Sequence, residues 1–297
     1  FNYLTTVDSR ERRHYWEYGP VHLLAKDILW FHAAIWPAML LALRRCKGYE
    51  WVVLPKLVYA HSFYISEGQK MSKSLGNFID LAAIERYVAV YGLDALRFYL
   101  VTQGPLGAQD ANFSAQHFHE VYGTVLENTV GNCASRVTAM IGKYFNGAVP
   151  QDAGSFTLQG FDFPALCAAA AERCLAHYGR MELADAVNQA IGIVRKVDAF
   201  INATEPCKVA KDPSRAGELA SILYQCAEAV RIASLLLAPV LPFKMNDLWQ
   251  ALGVSTDGRG GLADQCRWGG LKPGTAVVKV ALFPRVEQSP ASAAVPV

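Results

Sequence analysis

The 297-residue sequence carries 28 Lys and Arg against 26 Asp and Glu, a net charge of +2, with 52% hydrophobic and 18% charged residues. That balance excludes a chain disordered throughout, and it provides no long-range field to attract nucleic acid, so any polyanion must be met locally. Seven scattered cysteines without a CxxC pair argue against zinc and for a reducing compartment.

The chain begins with Phe1 and shows no signal peptide, so its N-terminus is expected to be internal to something longer. The longest apolar run, residues 28–43, contains His32 and Pro37 and falls short of the ~20 residues of a membrane span. It reads as a buried helix, and no membrane partner is expected.

From the N-terminus, Val21 to Leu24 is a strand, Lys26 to Arg45 a helix and Lys56 to His61 a second strand, which together make one βαβ unit of a parallel sheet. Residues 66–77 turn small, polar and basic between Gly68 and Gly76 and read as a mobile loop. Helices are expected at Leu81 to Tyr91 and Asp94 to Thr102, then a turn-rich stretch to Asn112. Ser114 can cap a helix whose apolar positions Phe118, Val121, Val125, Cys133, Val137 and Ile141 recur at helical spacing. Helices at Phe163 to Tyr178, Glu182 to Ala203, Pro213 to Leu237 and Phe243 to Leu252 predict an antiparallel bundle. Gly258 to Gly261 reads as a loop, Ala276 to Phe283 as a strand and Gln288 to Val297 as a solvated tail.

The sharpest chemical signal is Lys70-Met71-Ser72-Lys73-Ser74, followed by Leu75-Gly76-Asn77. Two lysines three residues apart on a small-residue loop just after a βαβ unit can both aim ammonium groups at a polyphosphate. The alternative for such spacing is a solvated basic turn. His32, Trp36 and Leu40 share one face of the first long helix, where a histidine is either a satisfied core residue or a polar group beside a bound side chain. Asn132 and Arg136 form an i, i+4 pair that suits either a solvated helix face or the edge of an unstacked base.

The pentapeptide resembles the KMSKS signature of class I aminoacyl-tRNA synthetases, and Lys26-Asp27-Ile28 with Phe31-His32 and Trp36-Pro37-Ala38 resembles the methionine family of that class, of bacterial or organellar type. Ala25 stands where that family usually has glycine. The resemblance, densest between residues 21 and 136, implies α/β plus all-α architecture. The α/β portion would be the C-terminal part of a Rossmann-type catalytic fold (1–63) with a KMSKS-bearing linker (64–112). An antiparallel helix-bundle anticodon-binding domain (113–275) and a C-terminal strand and tail (276–297) would follow.

It also implies a ligase using ATP, Mg2+, L-methionine and tRNA(Met). Lys70 and Lys73 would be catalytic, and His61, Lys70, Met71, Ser72, Lys73 and Ser74 would bind ATP. Tyr3, His32 and Trp36 would bind methionine, and Asn132 and Arg136 would read the anticodon. No metal-ligating residue is expected. His61 has the alternative of a plain strand-end histidine.

In Gly92-Leu93-Asp94-Ala95-Leu96-Arg97, similar to the family's domain-junction element, Asp94 is a candidate N-cap and Arg97 a domain-joining side chain. Leu282-Phe283-Pro284-Arg285 resembles a segment that packs on the catalytic side in shorter members. Cys207 stands where many relatives carry a tryptophan that stacks on an anticodon base, a platform worth ~1–3 kcal/mol.

The family's HIGH motif is not in this sequence. The expectation is a chain inactive by itself, needing an N-terminal catalytic half, monomeric when complete and cytoplasmic or organellar. Two other readings are a catalytically dead tRNA-binding protein and another class I synthetase, such as that for cysteine.

Overall fold

The computed structural model describes residues 2–9, 11–152, 154, 156–255 and 261–287, with the side chains of Asn2 and Tyr3 outside the description. The chain divides into two compact units. The first holds residues 1–77 and 104–113, the second 78–103 and 114–297. The expected linker 64–112 is thus shared between units, because 64–77 and 104–113 pair as strands while 78–103 folds as helix.

In the first unit, α1 (Asn2–Val7) and α2 (Arg13–Glu17) precede β1 (Val21–Ala25), which pairs in parallel with β2 (Leu57–His61). β1 runs straight through Ala25 in extended geometry, so the alanine replaces a family glycine without a special backbone angle. The intervening helix is not uniform. A 3-10 turn at Lys26–Ile28 leads to a π-type turn at Phe31–Ile35 and then to α3 (Trp36–Arg44). Inserted π turns occur frequently at functional sites, and this one carries His32. Leu4, Trp16, Leu40 and Val52 form the buried cluster beneath, with Trp36 packed against it.

Where a loop was expected after residue 66, β3 (Tyr64–Ser66) and β4 (Gln69–Lys70) make a two-residue hairpin. Its turn residues Glu67 and Gly68 both have positive φ, 48° and 76°, the geometry that matches the twist of the flanking strands. β5 (Ala111–Phe113) joins β3 in parallel, inside the stretch read as turns.

The second unit is helical. It contains α4 (Leu81–Tyr91), α5 (Leu93–Gln103), α6 (Ala115–Val121), a π-type segment Tyr122–Gly131, α7 (Asn132–Tyr144), α8 (Phe163–Gly179) and α9 (Leu183–Thr204). After the short α10 (Pro206–Val209) come α11 (Ala216–Leu237), α12 (Pro242–Ala251) and α13 (Leu262–Gln265). Ser114 caps α6 as its sequence suggests, accepting from the His117 N–H.

α9 packs against α8 and α11, burying Val187, Ile191, Val194, Val197 and Phe200. With the turn before it, residues 213–237, α11 is long and apolar enough to cross a membrane, yet 94% of its apolar 18-residue stretch is buried. A helix apolar on every side is a core helix when other helices surround it.

Two expectations change here. Asp94 does not cap its own helix: its carboxylate accepts from the Lys244 N–H at 2.6 Å and so caps α12, because α5 already begins at Leu93 and carries Asp94 inside its first turn. The strand expected at Ala276 to Phe283 is an extended strap with one bridge, Ala148 to Ala276. Its amides go to three different places: Val277 N–H to Gly147 O, Val278 N–H to Ala251 O and Val280 N–H to Thr138 Oγ1. Apolar alternation signalled burial of one face, and no partner strand supplies a ladder. The Gly258–Gly261 loop is described only at Gly261, and the tail from Gln288 lies outside the described residues.

Candidate functional site

The KMSKS segment folds as an exposed turn with closed ends. Lys70 ends β4, and Lys73 opens a 3-10 turn (Lys73–Leu75) that stops at Gly76 with φ 66°. The Asn77 amide ties the turn together: its Oδ1 accepts from the Ser72 N–H at 2.9 Å and its Nδ2 donates to Lys70 O at 3.1 Å. Ser72 and Ser74 hydroxyls meet at 2.7 Å. Lys70, Lys73 and Ser74 are exposed, while Met71 and Ser72 are half-buried. Both lysines thus stand exposed on a backbone that one side chain closes.

In the same unit a cavity of about 540 Å³ opens between β1 and the π-type turn, lined by Trp16, Leu24, His32, Ile35, Trp36 and Met39 among others. His32 and Trp36 therefore meet as expected, whereas Leu40 is buried in the cluster below. Tyr3 lies in α1, but its side chain is outside the description. An apolar, aromatic-lined cavity with few polar groups suits a thioether side chain. One lining residue, His22, was not anticipated. Its sequence signal is slight: on a strand, positions 22 and 24 share a face, and Leu24 is buried.

His61 ends β2, and its Nδ1 donates to Ser62 O at 2.8 Å. The adjoining residues are pinned by Asp110, which accepts from Lys26 Nζ at 2.8 Å, from the Phe63 N–H at 3.2 Å and from the Ser62 hydroxyl. Lys26 and Ser62, then the Phe63 amide, hold the Asp110 carboxyl down at about 2. Lys26 thus earns a local role, joining the end of β1 to the loop before β5. Asp27, its neighbour in the motif, is exposed.

In the helical unit, Asn132 begins α7 exposed, directly after the π-type segment. Arg136 is half-buried and held: Nη1 donates to Asp198 at 3.2 Å and Nη2 to Asn202 at 3.2 Å, both on α9. Burial raises the Asp198 carboxyl although Arg136 beside it pulls the other way. The pair is therefore a positioned guanidinium next to an exposed amide. The exposed Cys207 sits within hydrogen-bonding reach of Tyr144, whose hydroxyl it pushes up.

Arg97 donates to Val240 O at 3.0 Å and Pro239 O at 2.9 Å, so it and Asp94 lock α5 to the α11–α12 corner of the same unit. The Leu282 to Arg285 segment also packs on helices of this unit: the Tyr122 hydroxyl donates to Pro284 O at 2.7 Å, and the Tyr122 and Phe283 rings meet edge to face.

Among the described residues, one group offers metal-ligand atoms within reach of one another, namely His177, Glu182 and Asp185. The Arg180 guanidinium already holds the Glu182 oxygen at 2.8 Å, so a cation is placed there by the protein itself.

Residues 1–138 match the family model for class I tRNA synthetases (M). Among curated relatives, the methionine–tRNA ligase of Streptomyces coelicolor is 38% identical over 98% of this chain and 54% of its own length, and that of Bacillus subtilis 35% over 97% and 42%. The Mycobacterium tuberculosis methionyl-tRNA synthetase, solved in complex with methionyl-adenylate, superposes with a TM-score of 0.81 at 31% identity, covering 96% of this chain and 54% of that one. The chain spans about half the length of the relatives it matches. The chain is thus similar through its first 138 residues to the class I (M) tRNA synthetase model, and over nearly its whole length to about half of each of these methionyl-tRNA synthetases.

Proposed function

We propose that this chain is the C-terminal part of a ligase that activates L-methionine with ATP and transfers it to tRNA(Met). It would work together with a half that carries the HIGH motif. The observation that carries the reading is the stapled KMSKS turn in the same compact unit as a cavity lined by His32 and Trp36.

In the first step a methionine carboxylate oxygen bonds to the α-phosphorus of ATP, the bond to the β-phosphate oxygen breaks, and pyrophosphate leaves. Lys73, with Lys70, neutralises charge that grows on the departing oxygens, while His61 and the Met71 to Ser74 backbone bracket the nucleotide. Magnesium enters with ATP as part of the substrate. In the second step a terminal ribose hydroxyl of the tRNA attacks the methionyl carbonyl and AMP leaves.

The helical unit would read the anticodon through Asn132 and Arg136. The hydrogen bonds from Arg136 to Asp198 and Asn202 support that reading, because a fixed guanidinium loses less freedom on meeting a base. Tyr144, within hydrogen-bonding reach of Cys207, offers an aromatic ring beside the position of the missing indole.

The test is methionine-dependent ATP–pyrophosphate exchange in the polypeptide that joins this segment to its HIGH-bearing half. Lys73→Ala should slow exchange on the order of 10²–10³-fold, the usual cost of removing one preorganised group. Near-normal exchange in that variant would end the catalytic assignment.

A further inference from the structure

The helical unit has a cavity of its own between α8 and α9, of about 200 Å³. Its polar lining is Arg173 of α8 with Asn188, Gln189 and Lys196 of α9, beside the buried Phe163 and Ile193. No carboxylate lines it among the described residues. Both cations are held by neutral partners. Arg173 Nε donates to the Gln189 side-chain oxygen at 2.8 Å, which leaves its terminal nitrogens to meet an acceptor. The Lys196 ammonium stands 5.6 Å from the centre of the Phe161 ring. Two cations and two amides without an acid suit an anion such as one phosphate.

The cavity is also joined to the Arg136 pair by one helix face. Asn188, Gly192, Arg195, Ala199 and Asn202 recur at helical spacing on α9, all exposed or half-exposed, and none is acidic. At one end of this face Asn202 meets Arg136, and at the other lies the cavity. The nearby acids are engaged: Asp198 is bound by Arg136, and Glu182 at the start of α9 by Arg180, which Asp185 also attracts. From Asn202 the helix carries Lys196 about 9 Å and Gln189 about 20 Å away, at ~1.5 Å per residue, a span that a few nucleotides cover.

We propose that the α8–α9 cavity is a phosphate seat for single-stranded RNA. A strand whose unstacked base meets Asn132 and Arg136 lays its backbone along α9 and sets a phosphate against Arg173 and Lys196. This rests on reading the helical unit as the anticodon-binding part. Phosphate contacts hold register and carry no sequence information, so the cavity adds affinity and salt dependence rather than base choice.

The test is binding of an RNA hairpin with a CAU loop to this chain, read by fluorescence anisotropy across a salt series. Arg173→Ala and Lys196→Ala should each weaken binding about three- to tenfold and flatten the slope of log affinity against log salt by about 0.7–1. The loss should be equal for a hairpin with a changed loop sequence, and Arg173→Lys and Lys196→Arg should keep the slope. Both side chains are exposed, so circular dichroism of the variants should match wild type. Asn132→Ala should do the reverse, lowering the preference for CAU while the slope stays.

Unchanged affinity and slope in the double variant Arg173→Ala, Lys196→Ala would overturn the proposal, as would a wild-type chain that binds no hairpin. Lost CAU preference in Asn132→Ala beside an indifferent double variant would remove the phosphate seat and leave the anticodon reading standing. A flattened slope in the double variant with Asn132→Ala silent would keep the seat and end the base-reading assignment.

Discussion

Asn77 shows how little of a site can be read one residue at a time. The KMSKS letters point to phosphate chemistry, but nothing in them says that the next asparagine holds Lys70 O and the Ser72 N–H together. Asn77→Ala should leave both lysines in place and still lower exchange, about tenfold, with a raised KM for ATP, because the turn loses its closure. Asn77→Asp keeps the acceptor for Ser72, loses the donor to Lys70 and should fall between.

Asp110 gives a prediction in pH. Its folded carboxyl sits at about 2 against an ordinary 3.8, so the ion pair to Lys26 contributes fully above roughly pH 4. The contribution fades as pH falls toward 2. Acid unfolding of Asp110→Asn should lose that part of the pH dependence, as followed by circular dichroism. Lys26 was legible as part of a motif, whereas Asp110, 84 residues away, is joined to it by folding alone.

Secondary structure was legible where periodicity is long and failed where partners decide. The helices from Phe163 to Leu237 follow from apolar spacing, and β1 and β2 from short apolar runs. The 276–283 strap has the same alternation as a strand, yet its amides are taken by two loop or helix-end carbonyls and a threonine hydroxyl. The π-type turns at Phe31–Ile35 and Tyr122–Gly131 were likewise invisible, since they depend on which carbonyl each amide finds.

At this scale Glu228 is the critical contact of α11. It is wholly buried, bound by Arg231 at 2.7 and 2.8 Å, and accepts the N–H groups of Gly269, Gly270 and Leu271. Glu228→Ala strands a buried guanidinium and should cost about 3–5 kcal/mol in denaturant unfolding. A loss under 1 kcal/mol would contradict that view.

Over the whole molecule, the seven cysteines divide cleanly. Cys46 and Cys207 are exposed, whereas Cys133, Cys167, Cys174, Cys226 and Cys266 are buried. Burial pushes the Cys167 and Cys174 thiols up to about 12, so they hold almost no thiolate near neutral pH. Alkylation of the native chain at pH 8 should consume two thiols quickly and the other five only after unfolding, as counted by intact mass. Scattered cysteines were read from sequence as reduced, and for Cys133, Cys167, Cys174 and Cys226 placement on core faces of α7, α8 and α11 is a physical reason they can remain so.

The Glu228 carboxylate has a further consequence for synthesis. Its amide partners lie 41–43 residues downstream, beyond α12. A nascent chain that has released α11 but not yet Leu271 holds an acid and its arginine inside apolar helices, with the acid short of three hydrogen-bond donors. The core helix α11 is thus completed by a loop that leaves the ribosome well after it, and a chain stopped before Gly269 should be cleared by proteases although every long helix has been made.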